Sequence, residues 1–191
     1  IDPNLDQPWY FLGVAAQQRR DQDSAFEYYN KAMALKPLNA DYILAVADIC
    51  VDRDDFAQAE TLLKEKMAVI PQDVSLKIAA ADLMCRLGKS DQAIALYDQA
   101  MLMTDDNEGI AQALGYCCMF GGKWKQAADV FYELVTQCQN EKQKKLYLEA
   151  AALCSMECGQ YDTAVRCYHE LKTVQKDNVV IWTRMGQAAL G

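Results

Sequence analysis

The sequence has one histidine, four prolines and no apolar run approaching the ~18 residues needed to cross a membrane. The lone histidine, His169, has no serine or cysteine placed beside it as a nucleophile, so no histidine-driven chemistry is indicated. Positive charge is also short. The 191 residues carry 19 Lys and Arg against 27 Asp and Glu, a net charge of −8. The deficit is uneven: residues 1–107 hold 10 basic against 18 acidic side chains, and residues 108–191 hold 9 against 9. A phosphate backbone demands a basic surface, which argues against nucleic acid as a partner. A protein or peptide with basic and apolar residues fits better. No signal peptide and no membrane-inserting segment is visible.

Cysteine is not scarce, but its pattern is uninformative for chemistry. Cys50, Cys85, Cys117, Cys118, Cys138, Cys154, Cys158 and Cys167 form no CxxC pair and no framework typical of a small secreted domain. Cys154 and Cys158 share a helical face, and Cys117 and Cys118 fall one repeat earlier. Without a CxxC pair or a second histidine, the expectation is no metal site and no cofactor. Free thiols acting as small hydrophobes point to a reducing compartment, the cytoplasm.

What the sequence does have is a period. Ala25, Ala59, Ala93 and Ala127 stand 34 residues apart, and Ala164 follows after 37. Four residues beyond each comes a large apolar residue: Tyr29, Leu63, Tyr97, Phe131 and Tyr168. Seven beyond come Ala32, Lys66, Ala100, Leu134 and Leu171. Each unit holds two apolar-periodic stretches, such as Trp9–Gln18 and Ser24–Leu35, each long enough for about three turns of helix. Turn material separates them at Arg20-Asp21-Gln22-Asp23, Leu87-Gly88-Lys89-Ser90, Gly121-Gly122-Lys123 and Gly159-Gln160. Pro37 and Pro71 close the second helix, since proline lacks the donor and clashes with the preceding turn.

Trp9-x2-Leu12-Gly13 with Ala25-x3-Tyr29 and Pro37 is the best single copy, and Trp182, Met185 and Gly186 repeat its opening trio. This pattern resembles the tetratricopeptide repeat family over essentially the whole chain. The resemblance implies an all-α fold, an α-solenoid of antiparallel helix pairs forming a right-handed superhelix. The repeats fall at about 6–39, 40–73, 74–107, 108–141 and 145–178, as one array with a partial repeat at 179–191. Residues 1–5 read as the tail of a preceding repeat, because Pro3 is in phase with Pro37. Running off both ends predicts a fragment of a longer array; the alternative is a chain whose last helix serves as its cap. Three extra residues within 136–145 predict a longer or kinked connection there.

In the family, first helices line a concave groove with residues at positions 2, 5, 6, 9, 12 and 13 of each repeat. Carried onto this chain, the lining is Tyr10, Phe11 and Val14 in the first repeat, then Asp41, Leu44, Asp48 and Asp52 in the second. The third supplies Ile78 and Asp82, the fourth Gln112, Tyr116, Met119 and Phe120, and the fifth Glu149. Ala113, Leu146, Ala150, Leu153 and Glu157 occupy further positions of the same kind. Part of this lining should be inter-helix core, the sixth and thirteenth positions above all. The clamp for a chaperone's C-terminal carboxylate needs lysine and asparagine at positions 5 and 9; Asp48 and Asp82 at position 9 would repel a carboxylate. The resemblance therefore implies a non-catalytic protein–protein interaction scaffold. The alternatives are the targeting region of a larger enzyme such as a glycosyltransferase, a secretion-type chaperone, or self-association through the cut ends.

Overall fold

The computed structural model describes residues 4–105, 107–174, 183–184 and 186–188. Among them there are helices and turns and no strands. Ten helices follow in order: α1 (Asp6–Gln18), α2 (Gln22–Leu35), α3 (Ala40–Asp52), α4 (Phe56–Val69), α5 (Val74–Arg86), α6 (Ser90–Met101), α7 (Glu108–Phe120), α8 (Trp124–Gln137), α9 (Glu141–Glu157) and α10 (Tyr161–Val174). Residues 183–184 and 186–188 are also helical. Pro3, Trp182 and Met185 lie outside the described residues, as do most of the expected partial repeat and the preceding tail.

The chain divides into two compact units, residues 1–83 and 84–191, with the division inside α5. In the first, α1 packs on α2, α2 on α3 and α3 on α4. In the second, α6 packs on α7, α7 on α8, α8 on α9 and α9 on α10. The alanine ladder is the core of both: Ala25, Ala59, Ala93, Ala127 and Ala164 are all 0% exposed. Small side chains let the paired helices close together, and Tyr29, Leu63, Tyr97, Phe131 and Tyr168 fill the space beside them, all buried. Fully burying a side chain of that size stabilises the fold by about 2 kcal/mol. The odd member of the second ladder, Lys66, is half-buried; its Nζ donates to the Pro37 carbonyl at 3.1 Å, which satisfies the charge.

One turn recurs between the helices of each pair. The N–H groups of Asp21, Asp55, Lys89, Lys123 and Gln160 donate back to the carbonyls of Ala16, Cys50, Met84, Cys118 and Ser155, at 2.8–3.0 Å. This is the six-to-one bond of a Schellman ending, and it requires a left-handed residue just before the donor. That residue is Arg20, Asp54, Gly88, Gly122 and Gly159, with φ of 61, 59, 71, 70 and 75°. The helices that open a new pair are capped by side chains: at α3 Asn39 accepts from the Tyr42 N–H, and at α5 Asp73 accepts from the Leu76 N–H.

The three extra residues do not lengthen the connection. Residues 138–140 join α8 to α9, one fewer than the four at 36–39 or 70–73. Helix α9 instead has 17 residues where α1, α3, α5 and α7 have 13. No proline stops it, Glu-Lys-Gln-Lys-Lys is a good helix-forming run, and the Asn140 side chain accepts from the N–H groups of Lys142 and Gln143. The insertion becomes helix because its residues gain bonds there that a loop would leave to water.

Candidate functional site

The face presented by the first helices is fixed by aromatic contacts beneath it. In residues 1–83, the Tyr10 ring sits 5.5 Å from that of Tyr29 and 5.1 Å from that of Tyr42. Gly13 makes room for this cluster: a Cβ there would fall 2.4 Å from the Tyr29 ring. The Tyr29 hydroxyl donates to Gln17 Oε1 at 2.8 Å. Burial raises the pKa of Tyr29, and Tyr10 and Asp48 raise it further. The same arrangement recurs in residues 84–191. Tyr116 meets Phe131 edge-on at 5.2 Å, Phe131 stacks on Tyr147 at 6.4 Å, and Gly115 makes room for Phe131.

A hydrogen bond locks each cluster to the helix two earlier. The Tyr42 hydroxyl donates to Asp6 Oδ2 at 2.5 Å, and Lys36 Nζ lies 2.9 Å from the same oxygen. The Tyr147 hydroxyl lies 3.0 Å from Glu108 Oε1 and 3.2 Å from Gln112 Oε1. Burial, reinforced by the neighbouring carboxylate, pushes both hydroxyls up to about 12. The hydrogen bond from Tyr42, then that from Lys36, holds the Asp6 carboxyl below its ordinary value.

These contacts place all fourteen predicted lining residues at or near the surface; none is buried. Nine fall in the first unit. Phe11, Asp41, Asp48, Asp52 and Asp82 are exposed there, and Tyr10, Val14, Leu44 and Ile78 are half-buried. In the second unit, Tyr116 and Phe120 are exposed, and Gln112, Met119 and Glu149 are half-buried. The sixth and thirteenth positions, where the sequence left groove and core both open, are half-buried or exposed. Phe11 is 65% and Phe120 84% exposed. Sequence reasoning passed over the tyrosine–carboxylate ties. Their signal was present: Tyr42 and Asp6 are 36 apart, Tyr147 and Glu108 39 apart, the difference being the inserted three.

The thiols carry no gathered chemistry. Cys50, Cys117, Cys118, Cys154 and Cys167 are buried, and Cys85, Cys138 and Cys158 are half-buried. Burial pushes Cys118, Cys154 and Cys167 up to about 11, far from the thiolate range. Among the described residues, no group of three or more His, Cys, Asp and Glu side chains is placed to hold a metal ion. His169 is exposed on α10. No helix among the described residues is long and apolar enough to cross a membrane.

Two family models match, both for the tetratricopeptide repeat: one over residues 6–37, the other over residues 51–117. The fold is similar to that of a tetratricopeptide repeat protein from Parabacteroides merdae, with a TM-score of 0.72 at 14% identity, covering 97% of this chain and 72% of that one. It is similar to the MamA protein, with a TM-score of 0.74 at 15% identity over 90% of this chain and 92% of that one. It is also similar to YrrB, a tetratricopeptide repeat protein with an unusual peptide-binding site, with a TM-score of 0.70 at 13% identity over 95% and 92% of the two chains. No curated protein matches the chain in sequence.

Proposed function

The chain belongs to the tetratricopeptide repeat family, and from that premise we propose that it is a non-catalytic scaffold holding a peptide or protein segment against its first helices. The observation that carries this reading is the exposure of large apolar side chains on the first helices of each unit, Phe11 in one and Phe120 in the other. Phe11 and Phe120 leave most of their surface unburied in the chain itself, 65 and 84%; each offers apolar area to a partner. The first helices of the unit that holds Phe11 carry exposed carboxylates at Asp41, Asp48, Asp52 and Asp82, which favours lysine or arginine in the occupant. A likeness to a protein with a peptide-binding site, YrrB, agrees with this reading at the level of fold.

The test is selection of peptides from a displayed random library against the 191-residue chain. Winning peptides should be rich in large apolar residues together with lysine or arginine. Replacing Asp48 and Asp82 by lysine should weaken the basic winners by about tenfold. No enrichment from the library, or affinity indifferent to both charge reversals, would sink the proposal.

A further inference from the structure

A cleft opens between the second helices of the first unit and shares no residue with the first-helix lining. Asn30 and Met33 line it from α2, and Thr61, Leu62 and Glu65 from α4, where spacings of three and four put them on one face. Val46 of α3, 2% exposed, forms its floor. The volume is about 450 Å³, within the range of small-molecule sites. Met33 and Leu62 are half-buried, so apolar surface remains open inside it.

The polar groups differ in what they already hold. The Thr61 hydroxyl donates to the Ala57 carbonyl at 2.9 Å, and Asn30 Nδ2 to the Phe26 carbonyl at 2.8 Å. Asn30 Oδ1 is left as an acceptor. Gln58 adds a neutral amide, whose Oε1 accepts from the Cys50 thiol at 3.4 Å. Of the lining side chains Glu65 alone is charged, and it is exposed at the rim. No described side chain pairs with it, in contrast to Glu27, which Lys31 meets at 2.6 Å. Lys66 donates instead to the Pro37 carbonyl, and Lys64, about 100° round the helix, has Glu60 one turn before it. The combination is local: 34 residues on, the places of Asn30 and Glu65 are taken by Lys64 and Gln99, which carry positive charge instead of negative.

We propose that this cleft binds a small organic cation. Its hydrocarbon body lies against Met33, Val46 and Leu62, and its primary ammonium group donates to Asn30 Oδ1 and pairs with Glu65. An apolar floor below a carboxylate selects an amine over an alcohol or an acid with the same body. A lysine of a bound protein has the same head group on a body too slender to fill the cleft, so the occupant is the free amine.

The probes are phenylbutylammonium, phenylbutanol and phenylbutanoate, which share one hydrocarbon body. The readout is the Met33 methyl resonance of the 191-residue chain carrying isotope-labelled methionine, assigned by its loss in Met33→Leu. The ammonium should shift it with a dissociation constant of about 1 mM, about fivefold tighter than the alcohol and about tenfold tighter than the carboxylate. Glu65→Gln, at an exposed position, should bring the ammonium to the alcohol's level and leave the alcohol unchanged. Ala57→Leu, also exposed and on the cleft wall, should weaken the ammonium and the alcohol alike. Asp41→Asn, on a first helix, should change neither. A Met33 methyl that none of the probes moves overturns the site. Equal affinity for all three probes, or an ammonium affinity indifferent to Glu65→Gln, overturns the cation. A Leu-Lys-Leu peptide that moves Met33 at lower concentration than the free amine gives the cleft to a protein segment and overturns the proposal too. The library selection is read at Asp48 and Asp82, so the two proposals fail separately.

Discussion

The hydroxyl of Tyr42 donates to the carboxylate of Asp6, 36 residues earlier and two helices away, at 2.5 Å. It fixes the first turn of α1 against the first turn of α3, and its counterpart fixes the first turn of α7 against the second turn of α9. The acid side and the alkaline side of this tie behave differently. Asp6 is held below its ordinary value of 3.8, so its contribution is full above that value and is lost as pH falls through the lowered one. Tyr42 is raised from 10.0 to about 12, so its contribution is full below pH 10.0 and is lost as pH rises towards 12. Tyrosinate absorbance should therefore show Tyr42 and Tyr147 titrating last. Replacing both by phenylalanine should remove that late step and lower the melting temperature at neutral pH.

The left-handed turn makes a prediction at its two non-glycine members. Arg20 and Asp54 occupy a conformation that costs a side chain about 1 kcal/mol, whereas glycine adopts it freely. Arg20→Gly and Asp54→Gly should each stabilise the chain by about 0.5–1 kcal/mol in urea unfolding. Arginine should gain more than aspartate, which tolerates this region better.

Gly13 should behave in the opposite way. Alanine is the better helix former by about 1 kcal/mol, yet its Cβ would meet the Tyr29 ring at 2.4 Å. Displacing a buried ring that also bonds Gln17 should cost more than the propensity returns. Gly13→Ala should lower stability by about 1–2 kcal/mol net, measured by urea unfolding.

The thiols give a test that needs no mutation. Cys50, Cys117, Cys118, Cys154 and Cys167 are buried, and three of them are pushed up to about 11. A thiol reagent at neutral pH should label Cys85, Cys138 and Cys158 quickly and the other five only on unfolding, as read by mass spectrometry.

The fold was legible in the alanine ladder because a close helix crossing admits only a small residue, and that demand recurs every repeat. Turns were legible where glycine marked them, at Gly88, Gly122 and Gly159, and less so at Arg20 and Asp54, where the backbone imposes the same φ on a side chain that disfavours it. The three inserted residues could be counted, but counting does not say whether they enter loop or helix; the Asn140 cap and the absence of proline decided that. On the candidate face, position in the repeat foretold which residues lie outward. It foretold Phe120, which is 84% exposed, but not the aromatic clusters at Tyr10, Tyr29 and Tyr42 and at Tyr116, Phe131 and Tyr147.

The two tyrosine–carboxylate ties have a thermodynamic consequence for how the chain comes apart. In an array where each repeat touches only its neighbours, stability sums over repeats and their junctions. A tie across a junction raises the coupling between the first and second repeats, and between the fourth and fifth, above that of a plain packed seam. Fraying should therefore release repeats in blocks of two, with shared hydrogen-exchange protection within each block.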